Sequence, residues 1–439
     1  MRVFAALFGL ATLASGPGAQ ESDWPQWRGP LATGAAPLAD PPVTWSEDEN
    51  VRWKVALPGA GHSTPAIWGD RLFLTAAVPY GEAVTPAPDR APGAHDNAPV
   101  THHMDFVVLI VDRESGELVR RRSLAKGLPH ERAHVSAGFA SGSPATDGEH
   151  VFAFFGSRGV FALDLAGEVI WEADLGDMSV KHEHGEGASP VLFGDTLVVN
   201  WDHEGQSLLV AFDKSTGEER WRVEREEITS WSTPIVAQVG EAAQVIVPGS
   251  ERLRGYDLAT GKVVWECGGL SHNIVASPVA ADGMVFSGSS YDRQSLLAIH
   301  LDGAEGDLTR GSDRLAWIRR RRTPYVPSPL LYDGSLYFLH HYQGMLSRVD
   351  ARTGVEPKGP FRLDAIGNVY ASPVAAAGRV YITDLDGTTV VLEHGEEPKM
   401  LAVNRLDDSF SASAAIAGDA LFLRGAKFLY CLAVDEEDD

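Results

Sequence analysis

The sequence predicts an all-β protein, an eight-bladed β-propeller with four antiparallel strands in each blade. Two repeated patterns predict it. The first is a step of Ser or Thr and then Pro, followed by an apolar pair, a Gly-containing turn and a second apolar run. Its copies recur mostly every 41 to 51 residues, and periods of about 40 to 50 residues with several short strands are typical of propellers.

The first pattern has eight copies, which mark the innermost strand of each blade. The aligned proline lies at positions 65, 144, 190, 234, 278, 329 and 373, and Ala414 replaces it in the eighth copy. Since the Ser or Thr before the proline recurs with the repeat, we expect its hydroxyl to bond backbone where this strand begins. A Ser nucleophile is not indicated, because no Gly-x-Ser-x-Gly turn is present.

The second pattern is an Asp followed four residues later by Gly, as in FDKSTGEERW (residues 212–221) and YDLATGKVVW (residues 256–265). Asp bonds local backbone and Gly adopts positive φ, so the pattern predicts a tight turn between strands C and D of a blade. We expect the tryptophans near these turns to pack between adjacent blades, with a cofactor contact as the alternative. They are Trp171, Trp221, Trp265 and Trp317.

Ring closure is predicted from the two ends of the repeat region. The last copy has only three strands, and an isolated strand at about residues 50–57 carries its own Trp53. We expect this N-terminal strand to complete the last blade, which would leave no open sheet edge in the ring.

Composition limits the function classes. Residues 1–19 have the form of a secretory signal peptide, since their apolar core is too short to span a membrane. The formal net charge of −23 disfavours binding to nucleic acid, and two cysteines do not make a disulfide scaffold. We expect a soluble monomer in the periplasm or outside the cell, with no integral membrane segment after cleavage.

The predicted organisation has five parts. A signal peptide (1–19) and an N-terminal segment (20–49) precede the propeller (50–434), and an acidic tail (435–439) follows it. Between the second and third strands of blade 1 lies an insertion at 78–105. It holds five prolines and three histidines, and it is too long for a hairpin turn, so we expect a lid or a binding loop.

The repeats resemble those of the pyrroloquinoline-quinone (PQQ) repeat propellers, from DWPQWRGP (residues 23–30) to LYCL (residues 429–432). The resemblance implies an eight-bladed propeller and two alternative functions. One branch comprises dehydrogenases that use a Ca²⁺-bound quinone, and many of its alcohol-oxidising members carry adjacent cysteines; here Cys267 and Cys431 fall in different blades. The other branch resembles the outer-membrane assembly lipoprotein, a non-catalytic scaffold, although this chain lacks its lipid-anchor cysteine.

The repeat register assigns the loops between strands D and A, and between B and C, to one face around the central channel. Twelve of the fifteen histidines fall on this upper face by that register. The candidate ligand residues at the channel mouth are His62, His130, His134, His182, Glu183, His184, His203, Trp231, His272, Asn273, Tyr325, His340, His341, Asn368 and Tyr370.

The segment KHEHGEG (residues 181–187) offers the sharpest chemical hypothesis. In an extended chain His182 and His184 point to the same side, as chelation of a transition metal requires. The alternative is that these imidazoles bond neighbouring blades or contact a ligand. We therefore expect a scaffold that binds a protein or a small molecule at the upper face. The alternative is an oxidoreductase or metal-dependent enzyme that uses the same face, with PQQ and Ca²⁺ or a transition metal.

Overall fold

The computed structural model confirms an all-β, eight-bladed propeller with four-stranded antiparallel blades. It describes residues 23–434 except residue 342, so the predicted signal peptide and acidic tail lie outside the described residues. Within this range the helical segments are two single 3₁₀ turns, Gly156–Arg158 and Lys181–Glu183. No helix of the described chain has the length and apolar character needed to cross a membrane.

The strands follow the predicted repeat in chain order. Those of the first half are β1 (Val51–Ala56), β2 (Ala66–Trp68), β3 (Arg71–Tyr80), β4 (Asn97–Ala98), β5 (His103–Asp112), β6 (Leu118–Gly127), β7 (Ala133–His134), β8 (Ala145–Thr146), β9 (His150–Phe154), β10 (Val160–Asp164), β11 (Val169–Ala173), β12 (Val191–Phe193), β13 (Thr196–Trp201), β14 (Ser207–Asp213), β15 (Glu219–Arg225), β16 (Ile235–Val239), β17 (Ala242–Pro248), β18 (Arg252–Asp257) and β19 (Val263–Gly268). Those of the second half are β20 (Val279–Ala281), β21 (Met284–Ser290), β22 (Gln294–His300), β23 (Gly306–Asp307), β24 (Leu315–Arg319), β25 (Leu330–Tyr332), β26 (Ser335–Leu339), β27 (Met345–Asp350), β28 (Phe361–Arg362), β29 (Val374–Ala376), β30 (Arg379–Thr383), β31 (Thr388–Glu393), β32 (Met400–Arg405), β33 (Ala415–Ala417), β34 (Ala420–Arg424) and β35 (Phe428–Leu432).

Each blade is one sheet whose strands follow the sequence from the inner to the outer strand, except that β1 is the outer strand of blade 8. In blade 4 the short β23 also pairs with β19, in parallel, as a fifth strand. Blades 1 to 8 are β2-β3-β5-β6, β8-β9-β10-β11, β12-β13-β14-β15, β16-β17-β18-β19, β20-β21-β22-β24, β25-β26-β27-β28, β29-β30-β31-β32 and β33-β34-β35-β1. The second and third strands of the blades are buried apolar runs, whereas outer strands such as β6 alternate between half-buried and exposed residues. The core therefore lies between the blades and around the inner strands.

The N-terminal strand closes the ring as predicted. Strand β1 pairs antiparallel with β35, with Lys54 opposite Tyr430. On its other side the indole of Trp53 packs over Gly116 in the turn between β5 and β6, and its Nε1 donates to the Arg113 carbonyl at 3.0 Å. Blade 8 is thereby joined to blade 1 through packing and hydrogen bonds.

Three of the predicted inter-blade tryptophans repeat this contact. Trp171, Trp221 and Trp317 each lie over the turn glycine of the next blade, which is Gly217, Gly261 and Gly354 in turn. Trp265 differs: its indole lies over Gly255 of its own blade and its Nε1 donates to Gln244 Oε1. In the next blade the connection between β22 and β24 is longer and contains β23, whose Gly306 pairs with Trp265. Trp265 packs in one cluster with Leu301 and Leu308 of that blade.

A ring of hydroxyls links the innermost strands. In seven consecutive contacts, the backbone N–H of the Ser or Thr before the conserved proline donates to the hydroxyl of its counterpart in the next blade, each at 2.9 Å. This chain runs from Thr64 through Ser143, Ser189, Thr233, Ser277, Ser328 and Ser372 to Ser413. The Thr64 hydroxyl completes the circle by donating to the Ser413 carbonyl at 2.9 Å. The predicted hydroxyl-to-backbone bond is confirmed, and its partner lies in the neighbouring blade.

Residues 24–36, which we call the N-terminal plug, cross the channel beside the conserved prolines and the first residues of the inner strands. Backbone bonds join the plug to the inner strands of blades 1, 2, 6 and 7. Its Arg28 is only 3% exposed and donates to the carbonyls of Pro329 and Pro373, both at 2.8 Å. The predicted N-terminal segment is thus a structural part of the ring.

Candidate functional site

The plug converts the channel into a cup of about 350 Å³ that opens on the upper face. Trp27 forms part of its floor and separates it from a smaller cavity of about 50 Å³. The wall includes ten Ser and Thr side chains, most of them from the hydroxyl ring. The charged residues that line it are Asp96 and Glu186, and no Lys or Arg is among them.

Seven of the fifteen candidate residues line this cup: His62, His134, His184, Trp231, Asn273, Tyr325 and Tyr370. Trp231 is fixed by its Nε1, which donates to the Gly185 carbonyl at 2.7 Å. The Tyr325 ring stacks on Tyr291 with ring centres 6.1 Å apart. The cup therefore has aromatic walls beside its hydroxyl ring.

The blade 1 insertion covers one side of the cup mouth. Strands β3 and β5 stay paired as far as Tyr80 and His103, so the insertion spans residues 81–102, less than the 78–105 expected. Its segment β4 pairs with β7. The pairing fixes the insertion on the upper face. We call residues 81–102 the lid.

Glu183 attaches the lid to blade 3. Its buried carboxylate accepts the backbone N–H groups of Arg90 at 2.7 Å and Ala91 at 2.9 Å through Oε1. Asn97 Nδ2 of the lid donates to the His182 carbonyl at 2.8 Å. His182 and Glu183 both have positive φ (59° and 56°), an uncommon conformation that turns this short segment toward the lid.

Four imidazoles meet between the lid and the blades. The ring centre of His95 lies 5.2 Å from that of His182 and 4.7 Å from that of His184. His182 and His184 are 5.3 Å apart, and His134 lies 4.8 Å from His184. We call these four residues the histidine cluster. The HEH segment therefore contacts the lid and the cup at once.

Burial keeps part of this cluster neutral. It lowers the pKa of His184 to about 4, and the neighbouring His134 and His95 add to the shift. Burial also lowers the pKa of His134, against the attraction of Asp96. Glu186, on the cup wall, has a raised pKa because it is buried, even though its carboxylate accepts hydrogen bonds from Ser157.

The other candidate histidines have structural partners outside the cup lining. His130 Nε2 donates to the Met178 carbonyl at 2.7 Å. His203 Nδ1 accepts the Ser179 N–H at 3.0 Å, and its Nε2 donates to the Gln206 carbonyl at 3.1 Å. His272 lies at the rim, with Nδ1 at 3.0 Å from Asp292 and Nε2 at 3.3 Å from Glu251.

Blade 6 and blade 7 carry the remaining candidates. His340 and His341 pack edge to face, with ring centres 4.8 Å apart, and His341 lies 5.0 Å from Tyr325. Asn368 has φ of 49°, and its carbonyl accepts the Leu385 N–H at 3.1 Å. None of these three residues lines the cup.

Several residues of the cup were not among the predicted candidates. Trp27 belongs to a non-repeating segment, and Asp96 lies in an insertion with no strand periodicity. The ring hydroxyls did carry a signal, since their position in the repeat places them on the innermost strands. A Ser or Thr that recurs eight times around a channel predicts a hydroxyl-lined wall as well as a backbone contact.

A ready-made metal centre is not formed at His182 and His184. In residues 23–434 without residue 342, one group of three His, Cys, Asp or Glu side chains has all its ligand atoms within 4.8 Å of one another. It consists of Asp147, Glu149 and His150 in the first turn of blade 2. There Lys214 Nζ lies 2.8 Å from Asp147, so this carboxylate already forms an ion pair with a lysine.

A sequence model of the family described as outer membrane protein assembly factor BamB matches residues 104–356, more than half of the chain. The chain belongs to this family. No curated protein matches it. The family match agrees with the PQQ-like repeats and the propeller.

Solved structures support the same fold. A europium-containing methanol dehydrogenase is 10% identical, with a TM-score of 0.59 over 93% of this chain and 91% of that chain. The quinohemoprotein alcohol dehydrogenase from Comamonas testosteroni is 12% identical, with a TM-score of 0.59 over 96% and 82%. BamB from Moraxella catarrhalis is 13% identical over 88% and 98%, and its TM-score of 0.38 is too low to support an argument. At these identities the likeness concerns the fold alone.

The cup lining does not fit PQQ, the cofactor implied by the dehydrogenase branch. PQQ carries three carboxyl groups, which need cationic partners when they are buried. Here the charged lining residues are Asp96 and Glu186, both acidic. The two cysteines are buried in blades 4 and 8, and burial raises their pKa values to about 11 for Cys267 and about 12 for Cys431.

Proposed function

We propose that the protein is an exported binding module that holds a small polar molecule in the cup. The observation that carries the proposal is the blind shape of the cavity: the plug closes the channel at one end, so a ligand enters from the upper face. Its volume of about 350 Å³ is in the range of small-molecule sites, about 300 to 1,000 Å³.

The lining favours a ligand with many hydrogen-bonding groups. The oxygen atoms of the ring hydroxyls accept backbone N–H groups, which leaves their O–H groups as donors toward the cup. His62, His184 and Asn273 add donors and acceptors, and Trp231 and Tyr325 offer apolar faces. A lining with acidic groups and without Lys or Arg disfavours an anion, so we propose a neutral or cationic ligand.

The lid completes the binding site on one side. His95 and Asp96 are lid residues that line the cup, and the lid is held to blade 3 through Glu183. Release of the Glu183 contacts would widen the mouth, which gives a ligand a route of entry. We further propose export to the periplasm or the cell exterior, from the signal-like residues 1–19, and a monomeric state.

A scaffold that binds a protein at the same face, and an oxidoreductase, remain the competing functions. The oxidoreductase needs an electron acceptor, and the side chains in the cup do not suit the quinone of that branch. A protein-binding scaffold uses the rim and does not require a deep, hydroxyl-lined cavity. The blind cup therefore supports the small-molecule proposal over both.

A pair of tryptophan substitutions tests the proposal. Val326 lines the cup, whereas Val355 is 56% exposed in the turn after β27, on the opposite side of blade 6. The purified chain is mixed with the dialysable fraction of a cell extract, separated, and analysed for retained compounds by mass spectrometry. We expect the wild type and Val355→Trp to retain the same compound and Val326→Trp to lose it. Equal retention by both variants, or no retention by the wild type, contradicts the proposal.

A further inference from the structure

We propose that His95, His182 and His184 form a binding site for a divalent transition-metal ion that joins the lid to blade 3. The site is independent of the small-molecule proposal, because it lies between the lid and the HEH segment and needs no occupant in the cup. Two features of the three imidazoles carry the inference, namely their spacing and their hydrogen bonds.

The spacing matches three imidazoles around one ion. A ring nitrogen binds Zn²⁺ at about 2.0–2.1 Å, which places the ring centre roughly 3.2 Å from the ion; at tetrahedral angles, ring centres are then about 5 Å apart. The observed separations in the triangle are 4.7 Å for His95 and His184, 5.2 Å for His95 and His182, and 5.3 Å for His182 and His184. Three rings from two distant segments thus already have the separations that a shared ion requires.

The hydrogen bonds leave one nitrogen of each ring available. His182 Nδ1 donates to the Pro92 carbonyl at 2.9 Å, His184 Nε2 to the His95 carbonyl at 3.2 Å, and His95 Nδ1 to the Gly93 carbonyl at 2.8 Å. In a neutral imidazole the nitrogen that donates carries the proton, so the other nitrogen has a lone pair. Metal-bound histidines are oriented by such bonds to carbonyl oxygens.

The fourth imidazole has the opposite arrangement. His134 Nδ1 accepts the Ser136 N–H at 3.2 Å and lies 2.7 Å from the Ser136 hydroxyl. Its Nε2 therefore carries the proton when the ring is neutral, and we assign His134 to packing beside His184. Glu183 is also outside the ligand set, because its Oε1 is engaged by the lid amides.

Ion binding requires the rings to turn. In the described chain, no three cluster nitrogens lie within 4.8 Å of one another, so the lone pairs do not yet point at one position. His95 lies on an exposed part of the lid, where reorientation of its ring meets little steric resistance. Metal binding would draw the lid onto blade 3 and narrow the mouth of the cup.

The ligand type indicates the ion. Neutral imidazoles favour Zn²⁺, Cu²⁺ and Ni²⁺, whereas Ca²⁺ and Mg²⁺ prefer oxygen ligands. A protein with a net charge of −23 also raises the local concentration of cations around it. We therefore expect Zn²⁺ or Cu²⁺ to bind and Ca²⁺ to fail in competition.

The test uses the full mature chain without an affinity tag, stripped with a chelator and dialysed against Zn²⁺ or Cu²⁺, with elemental mass spectrometry as the readout. We expect one ion per chain for the wild type and at least about tenfold weaker binding for His95→Ala. His95 is exposed, so this variant should fold; its unfolding midpoint without metal checks that. Nitrogen couplings in the Cu²⁺ electron paramagnetic resonance spectrum should also decrease in the variant.

Two control variants locate the ion. His150→Ala removes a ligand of the Asp147 group, and His272→Ala removes a rim histidine. Unchanged binding in both supports the cluster. No stoichiometric ion in the wild type, equal affinity in His95→Ala, or a loss confined to His150→Ala overturns the proposal. Val326→Trp should bind the ion normally, so failure of the small-molecule proposal leaves this result interpretable.

Discussion

The indole of Trp53 lies over Gly116, with a Cβ position on that glycine only 2.6 Å from the ring, and this contact joins the last blade to the first. Gly116 also has a φ of 72°. Gly116→Ala should therefore combine a strained backbone, at about 1–2 kcal/mol, with overpacking of about 1–3 kcal/mol. Chemical denaturation measures the free energy of unfolding.

Gly334→Ala is the matched control for this substitution. Gly334 has a φ of 66° and no atom within 4 Å of its Cβ position, so its variant reports backbone strain alone. We expect Gly116→Ala to be the more destabilised of the two. Equal losses would show that the Trp53 contact does not hold the ring closed.

Each hydrogen bond of the hydroxyl ring should contribute to the free energy of unfolding. Ser277 is buried, and its Oγ accepts the Thr233 N–H at 2.9 Å. Ser277→Ala leaves that N–H without a partner and should cost about 1–3 kcal/mol in unfolding free energy. Ser277→Thr keeps the hydroxyl and should retain most of the unfolding free energy that Ser277→Ala loses. Ser411→Ala, at a cup residue outside the ring of bonds, should change stability little; a similar loss there would count against the ring.

The lid should open when Glu183 loses its carboxylate. Glu183→Ala removes the acceptor of the Arg90 and Ala91 amides, each bond to a charged group being worth about 1.5–3 kcal/mol. We expect hydrogen exchange across residues 84–98 to accelerate by at least about tenfold, with the global unfolding midpoint little changed. Glu82→Ala, an exposed position on the same lid, is the control. Unchanged exchange in Glu183→Ala would show that the lid is held by other contacts.

Stability should fall on mild acidification, in part through His62. Burial lowers the pKa of His62 to about 4, and the nearby Arg424 guanidinium adds to the shift. The unfolded chain binds this proton near pH 6.5, whereas the folded chain binds it only near pH 4. The contribution of neutral His62 to the free energy of unfolding is therefore complete above about pH 6.5 and is lost as the pH falls toward about 4.

A variant pair isolates this effect. His62→Gln should show a shallower fall of unfolding free energy between about pH 7 and about pH 4 than the wild type, because it lacks the buried imidazole. His300→Gln, at an exposed position, should follow the wild type. If the unfolding free energy of all three proteins had the same dependence on pH, His62 would not be a source of the acid sensitivity.

The fold could be predicted because its signals repeat. The Ser-Pro step marks the inner strands, and the Asp-x-x-x-Gly turn joins the outer strands of blades 1, 3, 4 and 6. The isolated N-terminal strand predicted ring closure. Trp265 departs from its equivalents because the connection between β22 and β24 of blade 5 is longer and pairs β23 with β19. The repeat does not predict this pairing between blades.

The site was less predictable because its contacts are long-range and do not repeat. The plug binds the ring mainly through backbone groups and Arg28, and such contacts leave no periodic signal. His95 meets His184 across 89 residues through a carbonyl bond that no spacing rule encodes. The register assigned His203 and His272 to the face of the site, but it could not distinguish residues bonded to local partners from those that reach the cup.

Ligand protection of an engineered thiol tests the central claim most directly. Cys267 and Cys431 are fully buried, so a cysteine placed at Val326 is the thiol that reacts with a maleimide in the folded protein. The labelling rate of Val326→Cys is measured with and without the dialysable extract, beside Val355→Cys. We predict that the extract slows labelling at 326 and leaves 355 unchanged. Equal rates at 326 with and without the extract would contradict a ligand in the cup.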